Sequence, residues 1–387
     1  MTKHTTVFAS LLRHFSRSDF ESAISGLKAD YRVRKLACYD LFKSMIYGHV
    51  SGCFSVREIE TSMKVNSHRL YHAGIKQIKR STFCDALEKR SHELFRKVFL
   101  AAVEKAQQIG GNMHKKFKEP LRILDGTIIS LCLRRYNWAK YIRAKGAIKL
   151  HMNLDGDNFM PFDACLTDGT VHEVEQLPTL CQESGVIYVM DRGYIDYKSL
   201  YTIELQKSTF VTRVKSNTAY RRIHNNPHPK EGPILSDVLI ELTGIKTKEH
   251  YPVPLRKVKY YDEETKKTFE FLTNDLERDA QEIAAIYKER WEVELFFKWI
   301  KQHLRIKSFW GTSMNAVYSQ IWVALILTIL LWINKTLDGI RTNTYELLIM
   351  IKATLLTKNT LLGLCTNIHG QMPDYEVSQP FLVGFKC

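Results

Sequence analysis

Residues 121–133 read LRILDGTIISLCL, two short apolar runs separated by an acid and a glycine. LRILD (121–125) and TIISLCL (127–133) each have the length and composition of a buried strand. Downstream, AIKLHMNLDGDNFMPFDACLTDG (147–169) predicts a hairpin with DGDN as its turn. VHEVEQLPTL (171–180) predicts a short helix, and GVIYVMD (185–191) a strand that again ends in an acid. DYKSLYTIELQKS (196–208) is a helix and TFVTRVK (209–215) a strand. This alternation predicts an α/β domain with one mixed sheet. Residues 216–275 break the rhythm, being polar and carrying Pro227, Pro229, Pro233, Pro252 and Pro254. Strands at LRKVKYY (255–261) and KTFEFLT (267–273) make this a mainly β insertion. A helical pattern resumes at Arg278 with RDAQEIAAIYKERWEVELFFKWIKQHL.

The chain has 387 residues and a mass of 45.0 kDa, which favours two or more domains. Hydrophobic residues at 45% and charged residues at 25% exclude a wholly disordered or fibrous chain. Lys and Arg number 56 against 41 Asp and Glu, a net +15, which points to a polyanionic partner. The surplus is concentrated: Met1–Pro120 holds 22 basic against 11 acidic residues, +11 of the total. There Ser55 is placed to cap VREIETSM, and Ser81 to cap a long helix through Ala106, with a basic connector between them. A helix-turn-helix-like DNA reader and a plain bundle with a solvated basic face both fit these helices; the charge asymmetry favours DNA. A boundary is expected in GGNMHKKFKEP (110–120). The first residues lack the apolar core of a secretory signal. The run Ile321–Ile333 is shorter than the roughly 20 residues a bilayer needs, so a buried helix and no membrane are expected. The eight cysteines have no zinc spacing and read as thiols in a reducing cytoplasm.

Asp125 and Asp191 each end an apolar strand, where an acid is costly unless paired or bound to metal. Ligand sites on α/β sheets gather at the carboxyl ends of strands. Two such acids suit a hard divalent cation, Mg²⁺ or Mn²⁺. For either one alone, a turn-forming acid beside Gly is the simpler account. On the later helix, at about 100° per residue, Tyr287, Arg290, Glu294 and Lys301 span an arc of roughly 60°, with Lys298 close to it. One stripe thus combines a carboxylate, cations and a phenol; a solvated stripe with an i,i+4 pair such as Glu294–Lys298 has the same pattern. His151 reads as a strand residue rather than a ligand, Asp155 and Asp157 as turn residues, and Trp310, Trp322 and Trp332 as core anchors.

The spacing Tyr287-x2-Arg290-x3-Glu294-x6-Lys301 resembles the YREK signature of the insertion-sequence-4 family of bacterial DDE transposases. LDGT at Asp125, MDRGY at Asp191 and IYKERWEVELFFKWIKQHL resemble its first, second and third acidic regions. The resemblance implies an RNase H-like catalytic core (116–340) with a mixed sheet, interrupted by the β-rich insertion at 216–275. A basic, all-helical DNA-binding domain (1–115) would precede it and a helical tail (341–387) follow. It implies cut-and-paste transposition by metal-dependent phosphodiester hydrolysis and strand transfer at terminal inverted repeats. Asp125, Asp191 and Glu294 would be the catalytic residues, holding two Mg²⁺ ions with Mn²⁺ as a substitute. Tyr287, Arg290, Lys298 and Lys301 would contact double-stranded DNA. The implied partners are transposon ends and target DNA, with a homodimer forming on DNA, in the cytoplasm at a prokaryotic nucleoid. An RNase H-like nuclease without strand transfer, and an inactive DNA-binding regulator, are the competing readings.

Overall fold

The computed structural model describes residues 5–110, 116–142, 145–229, 231–304, 306 and 308–369. Residues 111–115 of the expected boundary and 370–387 of the expected tail lie outside these. The chain divides into two compact units. One comprises 1–113, 129–148 and 296–387; the other comprises 114–128 and 149–295.

The second unit is organised by a mixed sheet. The strands of the sheet are β1 (Leu121–Leu131), β2 (Lys140–Ile142), β3 (Lys145–Asp155), β4 (Met160–Asp168), β5 (Ile187–Met190) and β6 (Thr209–Arg213), of which β2, the end of β1 from 129 and the start of β3 to 148 are counted with the first unit. The insertion adds β7 (Tyr220–Asn225), β8 (Ile234–Leu242), β9 (Leu255–Asp262) and β10 (Lys267–Thr273). The order runs β3-β1-β5-β6-β10-β9-β8-β7, with β2 and β4 both pairing with β3. β1 is parallel to β5 and β5 to β6, while β10 is antiparallel to β6. This is the mixed α/β architecture expected of an RNase H-like core, and the β-rich segment falls inside 216–275. The insertion does not form a sheet of its own. It continues the core sheet through the β6–β10 pairing.

The parallel strands are mainly apolar because both faces are covered, with Arg122 on β1 and Thr212 on β6 as buried polar members. All of Ile187–Met190 is buried, as are Leu121, Ile123 and Leu124. Tyr188, Met190, Leu200, Ile203, Phe210 and Leu272 pack into one cluster. The helix Tyr197–Leu205 reaches it through Leu200 and Ile203, its start fixed by Asp196 accepting from the Ser199 N–H. LRILD and TIISLCL form one strand rather than two, since the backbone passes through Asp125–Gly126 without turning. The hairpin turn falls at DGDN as expected. Asp155 Oδ1 accepts from the N–H groups of Asp157 and Asn158 at 2.9 and 3.2 Å. Gly156 is obligatory there, because a Cβ would lie 2.6 Å from Leu121 Cδ2. In the insertion, Arg256 clasps Asp237 through Nη2–Oδ2 at 2.6 Å and Nε–Oδ1 at 2.9 Å, both side chains almost fully buried.

The first unit is helical around Met314–Asp338, 25 residues capped by Ser313 and ended by Gly339 at φ 63°. By length and composition this helix suffices to cross a membrane, yet its apolar window is wholly buried. It packs on the helices Cys38–Val50, Arg80–Lys89 and Glu93–Gly110. Trp310, Trp322 and Trp332 are buried, as core anchors should be. Ser55 caps its helix, accepting from the Glu58 N–H. Ser81 does not: that helix already begins at Arg80, and it breaks at Arg90, whose backbone is extended. No disulfide joins the described cysteines.

Candidate active site

Parallel register brings the two aspartates together. Leu124 pairs with Met190, so Asp125 and Asp191 are the next residues on adjacent strands, which are spaced about 4.8 Å apart. β5 ends at Met190, and Asp191 opens a 3₁₀ turn over Arg192–Tyr194. Asp125 Oδ1 accepts from the Gly126 N–H at 2.8 Å. Burial pushes the Asp125 carboxyl up to about 6, with Glu294 and Asp191 adding to the rise and the Gly126 N–H and Arg290 opposing it. Carboxylates crowded in this way favour any cation that can join them.

Glu294 arrives from a helix that is not continuous. The expected single helix from Arg278 is two, Ala280–Lys288 and Trp291–His303. Between them the backbone tightens into i→i−3 bonds: Glu289 N–H to Ile286 C=O at 3.2 Å, and Arg290 N–H to Tyr287 C=O at 3.1 Å. The angular stripe drawn on an unbroken helix therefore does not apply. Tyr287 precedes the break, Arg290 sits in it, and Glu294 follows it. No Pro or Gly marks the break in KERW.

The break places the Arg290 guanidinium on two of the acids. Its Nη2 donates to Glu294 Oε1 at 2.6 Å and its Nη1 to Asp125 Oδ2 at 3.3 Å, with the side chain 12% exposed. The rings of Tyr287 and Trp291 each lie 5.9 Å from the guanidinium carbon. Tyr287 packs on Phe271, with ring centroids 4.8 Å apart. Burial pushes its phenol up to about 12, so it stays protonated as a donor. Its hydroxyl lies beside the Arg290 guanidinium, and neither that hydroxyl nor the Arg290 Nε makes a well-formed hydrogen bond among the described residues. Lys298 and Lys301 follow Glu294 by one and two turns on the same helix, the first exposed and the second half-buried.

Two neighbours escaped the sequence reading. Tyr194 is buried with its hydroxyl unpartnered. A Cβ on Gly126 would come within 3.3 Å of that hydroxyl and 3.6 Å of His151 Nδ1. Trp291 is 59% exposed beside Arg290. MDRGY contained the signal for Tyr194, and KERW that for Trp291. His151 bonds Thr167 Oγ1 through Nε2 at 2.9 Å, and burial lowers it to about 4, a neutral strand residue as expected.

The donor set suits a hard divalent cation, consisting of three carboxylates of which one is made costly by burial. Among the described residues no three His, Cys, Asp or Glu side chains are gathered at metal-binding distance. Arg290 lies between Asp125 and Glu294 instead. The residues thus fit the ion by donor chemistry, with Arg290 as its competitor for two of the three.

Comparison with known proteins bears on this arrangement. A family model described as "Transposase DDE domain" matches residues 116–330. A domain of unknown function, DUF4372, matches residues 3–76. A Sinorhizobium fredii protein named as a transposase, y4zB, is 36% identical over 241 residues, covering 61% of this chain and 66% of its own. A Geobacillus stearothermophilus protein named as the transposase of insertion sequence element IS5377 is 32% identical over 225 residues, covering 56% and 57%. The chain spans less than two thirds of either relative. A piggyBac transposase synaptic complex with hairpin DNA, solved by cryo-EM, aligns over 96% of this chain and 86% of its own at a TM-score of 0.45 and 14% identity.

Proposed function

The chain belongs to the family of DDE transposases of insertion sequences, and from that premise we propose that it is a cut-and-paste DNA transposase acting at terminal inverted repeats. The observation that carries the proposal is the side-by-side placement of Asp125 and Asp191, with Glu294 joined to Asp125 through Arg290. Asp125, Asp191 and Glu294 would hold the divalent metal on which DDE chemistry depends. We take this to be two Mg²⁺ ions, with Mn²⁺ able to replace them. When bound, the ions activate the attacking oxygen and stabilise the leaving oxygen of the phosphodiester.

The protein's own residues supply the rest. Arg290, whose fork now spans Asp125 and Glu294, would present its remaining donors to the scissile phosphate. The buried Tyr287 hydroxyl, which makes no well-formed hydrogen bond among the described residues, would donate to a phosphate oxygen. Lys298 and Lys301 extend the same helix toward the backbone as point charges. A water would first be the nucleophile at the element end. The freed 3′ hydroxyl would then attack target DNA in the same site. The basic helices of 1–115 are proposed to bind the repeats, and a homodimer to hold two ends at the nucleoid.

The test is a linear donor bearing the element's ends, incubated with a target plasmid and Mg²⁺ or Mn²⁺. A transposase yields excised element and donor–target joints. Cut ends without joints would mean a nuclease, and binding without cleavage a regulator; either result rejects the proposal.

A further inference from the structure

The helical unit contains a cleft of about 880 Å³ whose walls include Arg57, Arg80, Arg135, Phe54, Tyr136 and Trp310. Among the described residues no Asp or Glu lines it. Arg57, Arg80 and Arg135 are exposed, and none forms an ion pair with a described residue. Arg122, Arg256, Arg278 and Arg290 are each held by at least one carboxylate. Three unpaired guanidiniums around one concavity raise a positive potential that low-dielectric walls focus.

Aromatic groups form another part of the cleft, beside small polar and aliphatic residues such as Ser55, Val56 and Ser130. Trp310 is pinned as part of the floor, its Nε1 donating to the Cys53 carbonyl at 3.1 Å. Tyr136 packs edge-on against Phe309 and lies 5.9 Å from the Arg135 guanidinium carbon. Phe54 stands at the rim, 52% exposed. The N-terminus of the adjoining helix adds little, because Glu58 already accepts from the Phe54 N–H at 2.8 Å. Glu60 accepts from the Arg80 backbone N–H at 2.9 Å, leaving the Arg80 guanidinium itself unpaired.

We propose that this cleft binds a single DNA strand, its phosphodiesters on Arg57, Arg80 and Arg135 and an unpaired base on Phe54. Duplex DNA has phosphates for the arginines but keeps its base faces stacked inside, so it offers nothing to the exposed ring. A free phosphate or mononucleotide would meet one arginine and not span all three. Cationic groups interleaved with an accessible ring are what a sequence-tolerant single-strand site requires. The strand freed at a cut element end is the natural occupant. The proposal rests on the DNA-cutting reading above and places a second contact on the same substrate.

The test uses the full chain and a fluorescent oligothymidylate, with a duplex of equal length, dTMP and inorganic phosphate as comparison probes. Anisotropy is measured across a salt series. Substituting Arg57, Arg80 and Arg135 together by Gln should weaken oligothymidylate binding. It should also reduce the slope of log affinity against log salt by about 2, at about 0.7 per phosphate. Phe54→Ala should weaken binding about tenfold or more, and Phe54→Tyr should preserve it. Ultraviolet crosslinking of a 5-iodouracil oligonucleotide to the unmutated protein should yield a peptide containing Phe54, independently of how the variants fold. Wild-type affinity and slope in the triple variant would overturn the proposal. So would crosslinks confined to other segments, a loss restricted to duplex, or displacement by dTMP or phosphate at the oligonucleotide's own affinity. Cleavage of end-bearing duplex by the same preparation is read in parallel. Cleavage without strand binding rejects this site alone, and strand binding without cleavage rejects the transposase reading alone.

Discussion

Asp125→Asn should make the metal-free protein more stable at neutral pH, and the size of the gain follows from the site. Burial, reinforced by Glu294 and Asp191, raises the carboxyl from 3.8 to about 6. A raised acid favours the fold only while protonated. That contribution is fully present below 3.8 and is lost as pH rises through about 6. A rise of this size corresponds to about 3 kcal/mol of penalty at pH 7.5, falling to about 1 kcal/mol at pH 4.5. The side chain is 19% exposed, so screening by water trims this only modestly. Asn keeps the volume, and Arg290 keeps Glu294. The assay is hydrogen exchange of the Ile123 and Val189 amides on β1 and β5 in chelator, at both pH values. The variant should exchange more slowly at pH 7.5, with most of the difference gone at pH 4.5. Added Mg²⁺ should stabilise the wild type and leave Asp125→Asn nearly unchanged, because only an ion that binds the native state shifts its stability. A variant no more stable than wild type at pH 7.5, or a gain independent of pH, would refute the electrostatic account.

Arg290→Ala removes the competitor for two carboxylates and should tighten Mn²⁺ binding to the DNA-free protein roughly tenfold, as read by free Mn²⁺ in electron paramagnetic resonance. Unchanged affinity would show that Arg290 does not guard the site. Asp237→Ala strands the buried Arg256 guanidinium and should cost about 3–5 kcal/mol in urea unfolding; a loss under 1 kcal/mol would contradict it. Gly48→Ala should lower the melting temperature although Ala is the better helix former. A Cβ there would sit 2.8 Å from both Ile59 Cδ1 and Trp310 Cζ2, and overpacking costs about 1–3 kcal/mol.

The strands that carry the site were legible because buried parallel strands are largely apolar runs, and an acid ending such a run is conspicuous. Asp125 and Asp191 could be named from LRILD and GVIYVMD alone. Their adjacency could not, because register depends on pairing across more than sixty positions. Asp-Gly reads as a turn in isolation, yet here the backbone runs straight through it. Gly126 is accounted for by the Tyr194 hydroxyl and His151 across the sheet rather than by a turn. The helix break at Glu289–Arg290 left no trace, since Lys, Glu, Arg and Trp all tolerate helix. That break is what delivers Arg290 to Asp125, so the least legible feature sets the ion pairing of the site. The insertion was recognisable from its prolines, but its fusion to β6 through β10 rests on contacts between distant segments. Caps followed local chemistry at Ser55 and failed at Ser81, where the helix had already begun one residue earlier.

The central claim is that Asp125, Asp191 and Glu294 act on one divalent metal site. Cleavage of end-bearing DNA by wild type, Asp125→Asn, Asp191→Asn and Glu294→Gln, in Mg²⁺ and in chelator, tests it most directly. Each variant should lose at least about a thousandfold in rate, as removing one member of a cooperating catalytic set does, and chelator should abolish wild-type cleavage. Wild-type rates in any one of the three variants would contradict the claim.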